Sequence, residues 1–210
     1  MLYDLESRTG FELPRRYNIA PTQQSVIFRL ASGEETGELA MLKWGLVPFW
    51  ADDPAIGSRM INARAETVSS KPSFRDAFKK RRALVPASGF FEWKQENGGK
   101  QPYYVTRKDR RPFSMAGLWE SWNKGGTVLE TFTIITTAAN KLLAGLHDRM
   151  PVIVPDDAYR LWLDHAADPE RIKAMLVPSP ADELTLHPVS KAVNSPANDR
   201  PELIEPLQST

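Results

Sequence analysis

Apolar residues along the chain gather in short runs rich in β-branched and aromatic side chains, bounded by Gly, Pro and Asn. Runs of this kind read as strands: Ser25–Leu30, Leu39–Trp44, Ala83–Val85, Tyr103–Thr106, Phe113–Leu118, Thr131–Thr137 and Pro151–Val154. Met60–Thr67 alternates strictly, with its polar side chains on one face. Asn97-Gly98-Gly99 and Lys124-Gly125-Gly126 lie between such runs and predict hairpin turns. Three segments take helical spacing instead. Ser73 is placed to cap a helix in which Phe74, Ala77, Phe78 and Arg81 share a face. Ala138–Ala144 predicts a second helix, closed by Gly145. Pro155–Leu163, with Asp156 and Asp157 in its first turn, predicts a third, and Pro169–Leu176 extends that region. Strands outnumber helices and do not alternate regularly with them. The expected fold is therefore α+β, a mostly antiparallel, barrel-like β core with peripheral helices.

A length of 210 residues fits one domain over 1–210, with core enough to need no staples. No apolar run approaches the ~18 residues of a membrane span, and the N-terminus lacks a basic-then-apolar leader. A cytoplasmic monomer with no membrane partner is expected. The chain has no cysteine, which removes disulfides, thiolate metal sites and cysteine nucleophiles. No GxGxxG, Walker loop or HExxH occurs either, so no cofactor or metal is expected.

The net charge of +1 conceals a segregation. Residues 71–111 hold 12 basic against 4 acidic side chains, densest at Arg75, Lys79, Lys80, Arg81 and Arg82. Such a run is either a solvated helix face or a phosphate-contacting patch, since anions respond to local potential.

Some polar residues sit where a core strand should be. Asn62 and Arg64 form either the wet face of a half-buried strand or a donor and an anion-binder presented to a cleft; arginine's fork suits phosphate. Glu92 stands among Phe90, Phe91 and Trp93, where desolvation would raise its carboxyl toward acid–base use; the alternative is an edge-strand Glu facing solvent. Gly89 before two Phe suggests close backbone approach. His147, beside Asp148, Arg149 and Pro151, has the most suggestive company of the three histidines; His165 reads as surface and His187 as structural. The loop Trp44–Trp50 holds aromatics for the core, or for stacking on bases.

Six ordered blocks then carry a family resemblance: Tyr17-Asn18-Ile19-Ala20-Pro21-Thr22, Trp44-Gly45-Leu46-Val47-Pro48, Ile61-Asn62-Ala63-Arg64-Ala65-Glu66-Thr67, Gly89-Phe90-Phe91-Glu92-Trp93, Leu146-His147-Asp148-Arg149-Met150-Pro151 and His187-Pro188-Val189-Ser190. In this order they resemble the SOS response-associated peptidase (SRAP) family of abasic-site processing proteins. The resemblance implies a barrel-like fold and a single-stranded DNA partner containing abasic sites. The lesion would be held as a covalent crosslink through a cysteine exposed by self-removal of the initiator Met. It implies catalytic roles for Asn62, which orients the reacting amine, Glu92, an acid–base carboxylate, and His147, a proton-transfer imidazole. Arg64 and Arg149 match phosphate-binding arginines, Trp50 an aromatic wedge, and Asn18, Pro21 and Thr136 positions lining the DNA cleft.

Family members begin Met-Cys-Gly-Arg, whereas this sequence begins Met1-Leu2-Tyr3 and reaches the Tyr-Asn-Ile-Ala-Pro block at Tyr17. The N-terminal segment is therefore expected to be about twenty residues short of the family pattern. Without the cysteine, crosslinking through a thiazolidine is not expected of this chain. Two other readings stay open: a non-catalytic single-stranded DNA-binding module, and a peptidase acting in trans.

Overall fold

The computed structural model describes residues 15–30, 37–96 and 98–208, so expectations for the N-terminal segment lie outside the described residues. The strands in chain order are β1 (Gln24–Leu30), β2 (Gly37–Trp44), β3 (Asn62–Arg64), β4 (Arg82–Ala87), β5 (Phe90–Glu96), β6 (Gly99–Arg107), β7 (Phe113–Lys124), β8 (Thr127–Ala138), β9 (Arg149–Pro151), β10 (Ile153–Val154) and β11 (Leu184–Pro188). Three short α-helices are described: α1 (Arg75–Lys80), α2 (Tyr159–Leu163) and α3 (Pro169–Ala174). None of the described helices is long and apolar enough to cross a membrane.

Strands β7, β4, β1, β2 and β8 pair in sequence, and β8 pairs again with β7, closing a five-stranded barrel. All its pairings are antiparallel except β2 with β8. Side-chain alternation then sorts the core into two layers. Ile27, Leu42, Ala83, Val85, Phe113, Met115, Phe132 and Ile134 form one cluster to which every barrel strand contributes, so it fills the lumen. Leu84, Ala116, Leu118 and Ile135 face the other way and are covered by Phe74, Phe78, Trp162, Leu163 and Ile172 from the helical segments. A second antiparallel sheet, β5–β6–β11, lies beside the barrel.

The Lys124-Gly125-Gly126 turn is a two-residue hairpin loop, Lys124 pairing with Thr127 and both glycines at positive φ. Across the other predicted hairpin, Glu96 pairs with Gly99; Asn97 itself lies outside the described residues.

Two helix expectations change. Ser73 caps nothing: Phe74 occupies the N-cap of α1 with no side-chain bond. Ala138–Ala144 is not a helix, because Ala138 ends β8 and only Leu143–Gly145 forms a 3-10 turn. Asn140 sets where winding begins: its Oδ1 accepts from Leu142 N and Leu143 N, a capping pattern that starts the turn after residue 140 and not at Ala138. The alternating segment 60–67 is a strand only over Asn62–Arg64, after which Thr67 N donates to Arg64 O and the chain turns.

Strand β8 positions the site. Up to Ile134 it pairs with β7, but over Thr136–Ala138 its partner is β9. The chain 149–154 wedges between the two strands: Val152 N donates to Ile135 O while Ala116 N donates to Val152 O. This insertion brings Arg149 and the preceding His147 to the end of β8, across which β3 delivers Arg64 opposite Thr136.

Candidate functional site

Three segments that are remote in sequence meet at this end of β8. The exposed–buried–exposed pattern of β3 puts Asn62 and Arg64 on its solvent face and Ala63 in the core. Thr136 is buried between β3 and β9, and its carbonyl accepts from Ala65 N and from Arg149 Nη2. Arg149 also grips Glu66 through two nitrogens, at 2.6 and 2.9 Å. That bidentate bond holds the Glu66 carboxyl below the usual carboxylate range. Arg64, by contrast, makes no hydrogen bond or ion pair among the described residues, so its cationic fork is available to an outside anion. Glu66 extends the one-sided polar pattern of the alternating segment, the signal by which it could have been found; no role was expected of it.

The backbone of Arg149 does a second job. Its N–H donates to His147 Nδ1 at 3.0 Å, which leaves the neutral ring's proton on Nε2. Asp148 Oδ1 stands 3.2 Å from the same Nδ1, ready to accept once that nitrogen is protonated. The backbone N–H and the carboxylate together fix the orientation of the imidazole.

Glu92 faces His147 electrostatically. It lies on β5 opposite Tyr103, and alternation gives it the same face as Phe90, which packs against the cluster of Val105, Leu143, Met150 and Leu184. Burial pushes its carboxyl up; the Trp93 N–H on Oε1 and the positive charge of His147 pull it partly back. Gly89 allows this packing: a Cβ there would fall 2.3 Å from the Tyr104 ring.

Trp50 is 45% exposed and its neighbour Phe49 50%, an unusual pair of large apolar side chains in water. Their loop is nevertheless held firmly. Val47 N donates to Thr131 Oγ1, Trp122 Nε1 donates to Ala51 O, and Gly45, at φ +129°, lets the chain pass Gly57 so closely that a Cβ would meet its carbonyl at 2.6 Å. Pro21 is exposed in a turn closed by Gln23 N on Ala20 O, with Thr22 at φ +74° in the left-handed region. A β-branched residue adopts that φ only under constraint. Thr22 N is bonded to Trp44 O, and Trp44 Nε1 to Ile61 O, so the Pro21 turn is tied to the residue preceding Asn62.

Asn18 is the residue whose surroundings differ most from a cleft. It is 6% exposed, and its amide nitrogen donates to Val193 O, Ser195 O and Asn198 O. Asp199 Oδ1 holds the adjacent backbone through Tyr17 N and Asn18 N, and its other oxygen pairs with Arg16. The basic cluster also divides. Arg82 is 3% exposed and donates to Phe78 O, Lys79 O, Trp162 O and Asp164 O, capping the C-terminal ends of α1 and α2. Arg81 pairs with Glu120 at 2.6 Å. Neither is part of a solvent-facing patch, whereas Arg75, Lys79 and Lys80 are exposed. His187 is structural, Nε2 lying 2.9 Å from Ile204 O, but His165 is not a plain surface residue, since its Nδ1 is buried without a partner.

Comparison with known proteins bears on the family and the fold. The family model for SRAP, SOS response associated peptidase, matches residues 3–196. The abasic site processing protein YoqW of Bacillus subtilis is 45% identical over 192 residues, covering 90% of this chain and 85% of its own. The abasic site processing protein YedK of Escherichia coli is 34% identical over 194 residues, covering 91% and 85%. Among solved structures, a crystal structure of a Bacteroides thetaiotaomicron protein superposes with a TM-score of 0.83 at 29% identity, covering 97% of this chain and 90% of that one.

Proposed function

The chain belongs to the SOS response-associated peptidase (SRAP) family, and from that premise we propose that it binds single-stranded DNA and recognises abasic sites in it. What supports the reading is an unpaired arginine and a doubly supported imidazole at the end of β8, with a desolvated carboxyl that feels the imidazole's charge. Arg64 holds a backbone phosphate next to the lesion, since its fork has no internal partner to leave. Asn62, two residues earlier on the same face, donates to the opened sugar. Trp50, rigidly presented, fills the space left by the missing base.

An abasic site exposes a sugar aldehyde. A carboxyl raised by burial is the right proton donor for its oxygen, and His147 returns the proton through Nε2. Arg149 acts chiefly by placing His147 and the end of β8, because Glu66 already occupies its fork. Thr136 contributes its carbonyl to that placement, and Asn18 and the Pro21 turn shape the cleft wall from behind. The 210-residue chain has no thiol to close a thiazolidine, so an amine from a lysine gives at most a reversible Schiff base.

Fluorescence anisotropy with two single strands that differ only by one abasic site tests the reading. Tighter binding to the abasic strand is expected, reduced to equality in Glu92→Gln and His147→Ala. Equal affinities in the unaltered protein would make it a non-catalytic single-strand binder instead. A denaturing gel of the same mixtures is expected to show no heat-stable adduct, and a stable band would overturn the limit to reversible Schiff-base chemistry.

A further inference from the structure

The exposed cations that the site does not use form a pattern of their own. From Arg64 the chain winds in a nearly continuous run of turns: Val68 N donates to Arg64 O, Lys71 N to Thr67 O, Arg75 N to Lys71 O and Phe78 N to Phe74 O. Lys71, in the turns before the helix, and Arg75 and Lys79, within α1, therefore recur every four residues, and Arg75 N on Lys71 O links the first to the second. Within α1, at 3.6 residues per turn, the step from Arg75 to Lys79 rotates by only about 40° and rises about 6 Å, so these two share a face, and the turn bonded to it carries Lys71 toward the site.

All three are exposed, while the opposite face of α1, with Ala77 and Phe78, is buried against the barrel wall. Neutralisation is slight. Asp76 is the sole acidic residue between Glu66 and Glu92, and it contacts Arg75 only at 3.8 Å. Lys71 lies 5.6 Å from the Phe74 ring centre, and Lys79 has no ion pair among the described residues. The neighbouring cations that could have blurred the pattern are withdrawn: Arg82 into the core and Arg81 onto Glu120. Lys80, also exposed, points about 100° away from Lys79.

We propose that Lys71, Arg75 and Lys79 form a second DNA-backbone contact, carrying the strand that leaves the Arg64 end of the site. The proposal rests on the DNA-binding reading above and adds to it a direction: strand on one side of the lesion is held, strand on the other is not. The ligand is the phosphodiester backbone, without base selectivity, because lysines on an exposed helix face offer point charges and no base-edge geometry.

Binding of the unaltered protein is compared between an abasic strand of about five nucleotides and strands extended to about fifteen on the 5′ or the 3′ side, lengths within the range single-strand binders occupy. Extension on one side is expected to raise affinity. In Lys71→Gln/Arg75→Gln/Lys79→Gln that gain is expected to vanish, with affinity for the short strand unchanged. The slope of log affinity on log salt should fall by about 2, given ~0.7 per phosphate on single strands, or a roughly 20-fold smaller loss between about 50 and 200 mM salt. Circular dichroism and an unchanged urea midpoint of the triple variant establish that the fold is intact. The single variants supply the control: Lys79→Gln is expected to lower the gain and Lys80→Gln to leave it. Equal losses on short and long strands, or equal effects of Lys79→Gln and Lys80→Gln, would overturn the proposal while leaving the lesion site standing. Failure of the unaltered protein to prefer the short abasic strand over its intact counterpart would instead defeat the reading on which it rests.

Discussion

Asn18 offers the sharpest separation between a residue that touches DNA and one that holds the cleft together. Asn18→Ala removes an amide whose nitrogen serves three carbonyls, of which Val193 O is buried and the Ser195 and Asn198 carbonyls are partly so. Two N–H groups are lost, and each buried acceptor left without a donor costs about 1–3 kcal/mol, so the expected destabilisation is about 3 kcal/mol after water returns to the partly exposed carbonyls. Unfolding entropy near 2.1 cal/mol/K per residue makes this a fall of about 7 °C in Tm for a chain of 210 residues. Asn18→Asp should be worse, since it sets a carboxylate against carbonyl oxygens. The assay is paired: urea unfolding for stability, and anisotropy with an abasic strand well below Tm. The expected result is lost stability with nearly unchanged affinity. A variant within about 0.5 kcal/mol of the parent, as ordinary surface substitutions are, that nonetheless fails to bind DNA would refute the reasoning and return Asn18 to the DNA surface.

Two further outcomes follow from buried charge. Burial raises the Glu92 carboxyl above its ordinary 4.5, so the folded protein holds that proton more tightly than the unfolded one, and stability falls as pH rises from 4.5 through the raised value; urea midpoints across that window should show the decline in the parent and a flatter profile in Glu92→Gln. Arg82→Lys keeps the charge but cannot reach carbonyls on two helix ends from one nitrogen, and a loss of about 3 kcal/mol is expected by urea unfolding, with no change in DNA affinity below Tm.

The barrel was legible because its strands carry the plainest signal in the chain. Ile27, Ala83, Val85, Phe113 and Met115 alternate with residues of the opposite face, and period-2 patterning survives into three dimensions. Segment 138–144 misled because its apolar spacing suits a helix while Ala138 is still paired in β8 and Asn140 caps only the short turn that follows. Charge misled for a different reason. Arg75, Lys79, Lys80, Arg81 and Arg82 are alike in sequence, but Arg82 is drawn inward by the convergent carbonyl ends of α1 and α2, a tertiary arrangement no local pattern encodes. The place of His147, whose charge Glu92 feels, likewise depends on the insertion of residues 149–154 between β7 and β8. Residue types could nominate Arg64 and Arg149 equally; only the structure distinguishes a free fork from one already clasped by Glu66.

The central claim, that this end of β8 reads an abasic site, is tested most directly through the tryptophan indoles. Among the six tryptophans, Trp44, Trp122 and Trp162 donate Nε1 to backbone carbonyls, Trp93 donates to Asn194 and Trp119 Nε1 is buried, whereas Trp50, the proposed wedge, stands half exposed. Nitrogen-15 spectra of the labelled protein, titrated with abasic and intact strands of one sequence, should show the Trp50 indole signal shifting most and saturating at lower concentration with the abasic strand. Superimposable titrations with the two strands, or a Trp50 signal that stays still while the protein binds, would contradict it.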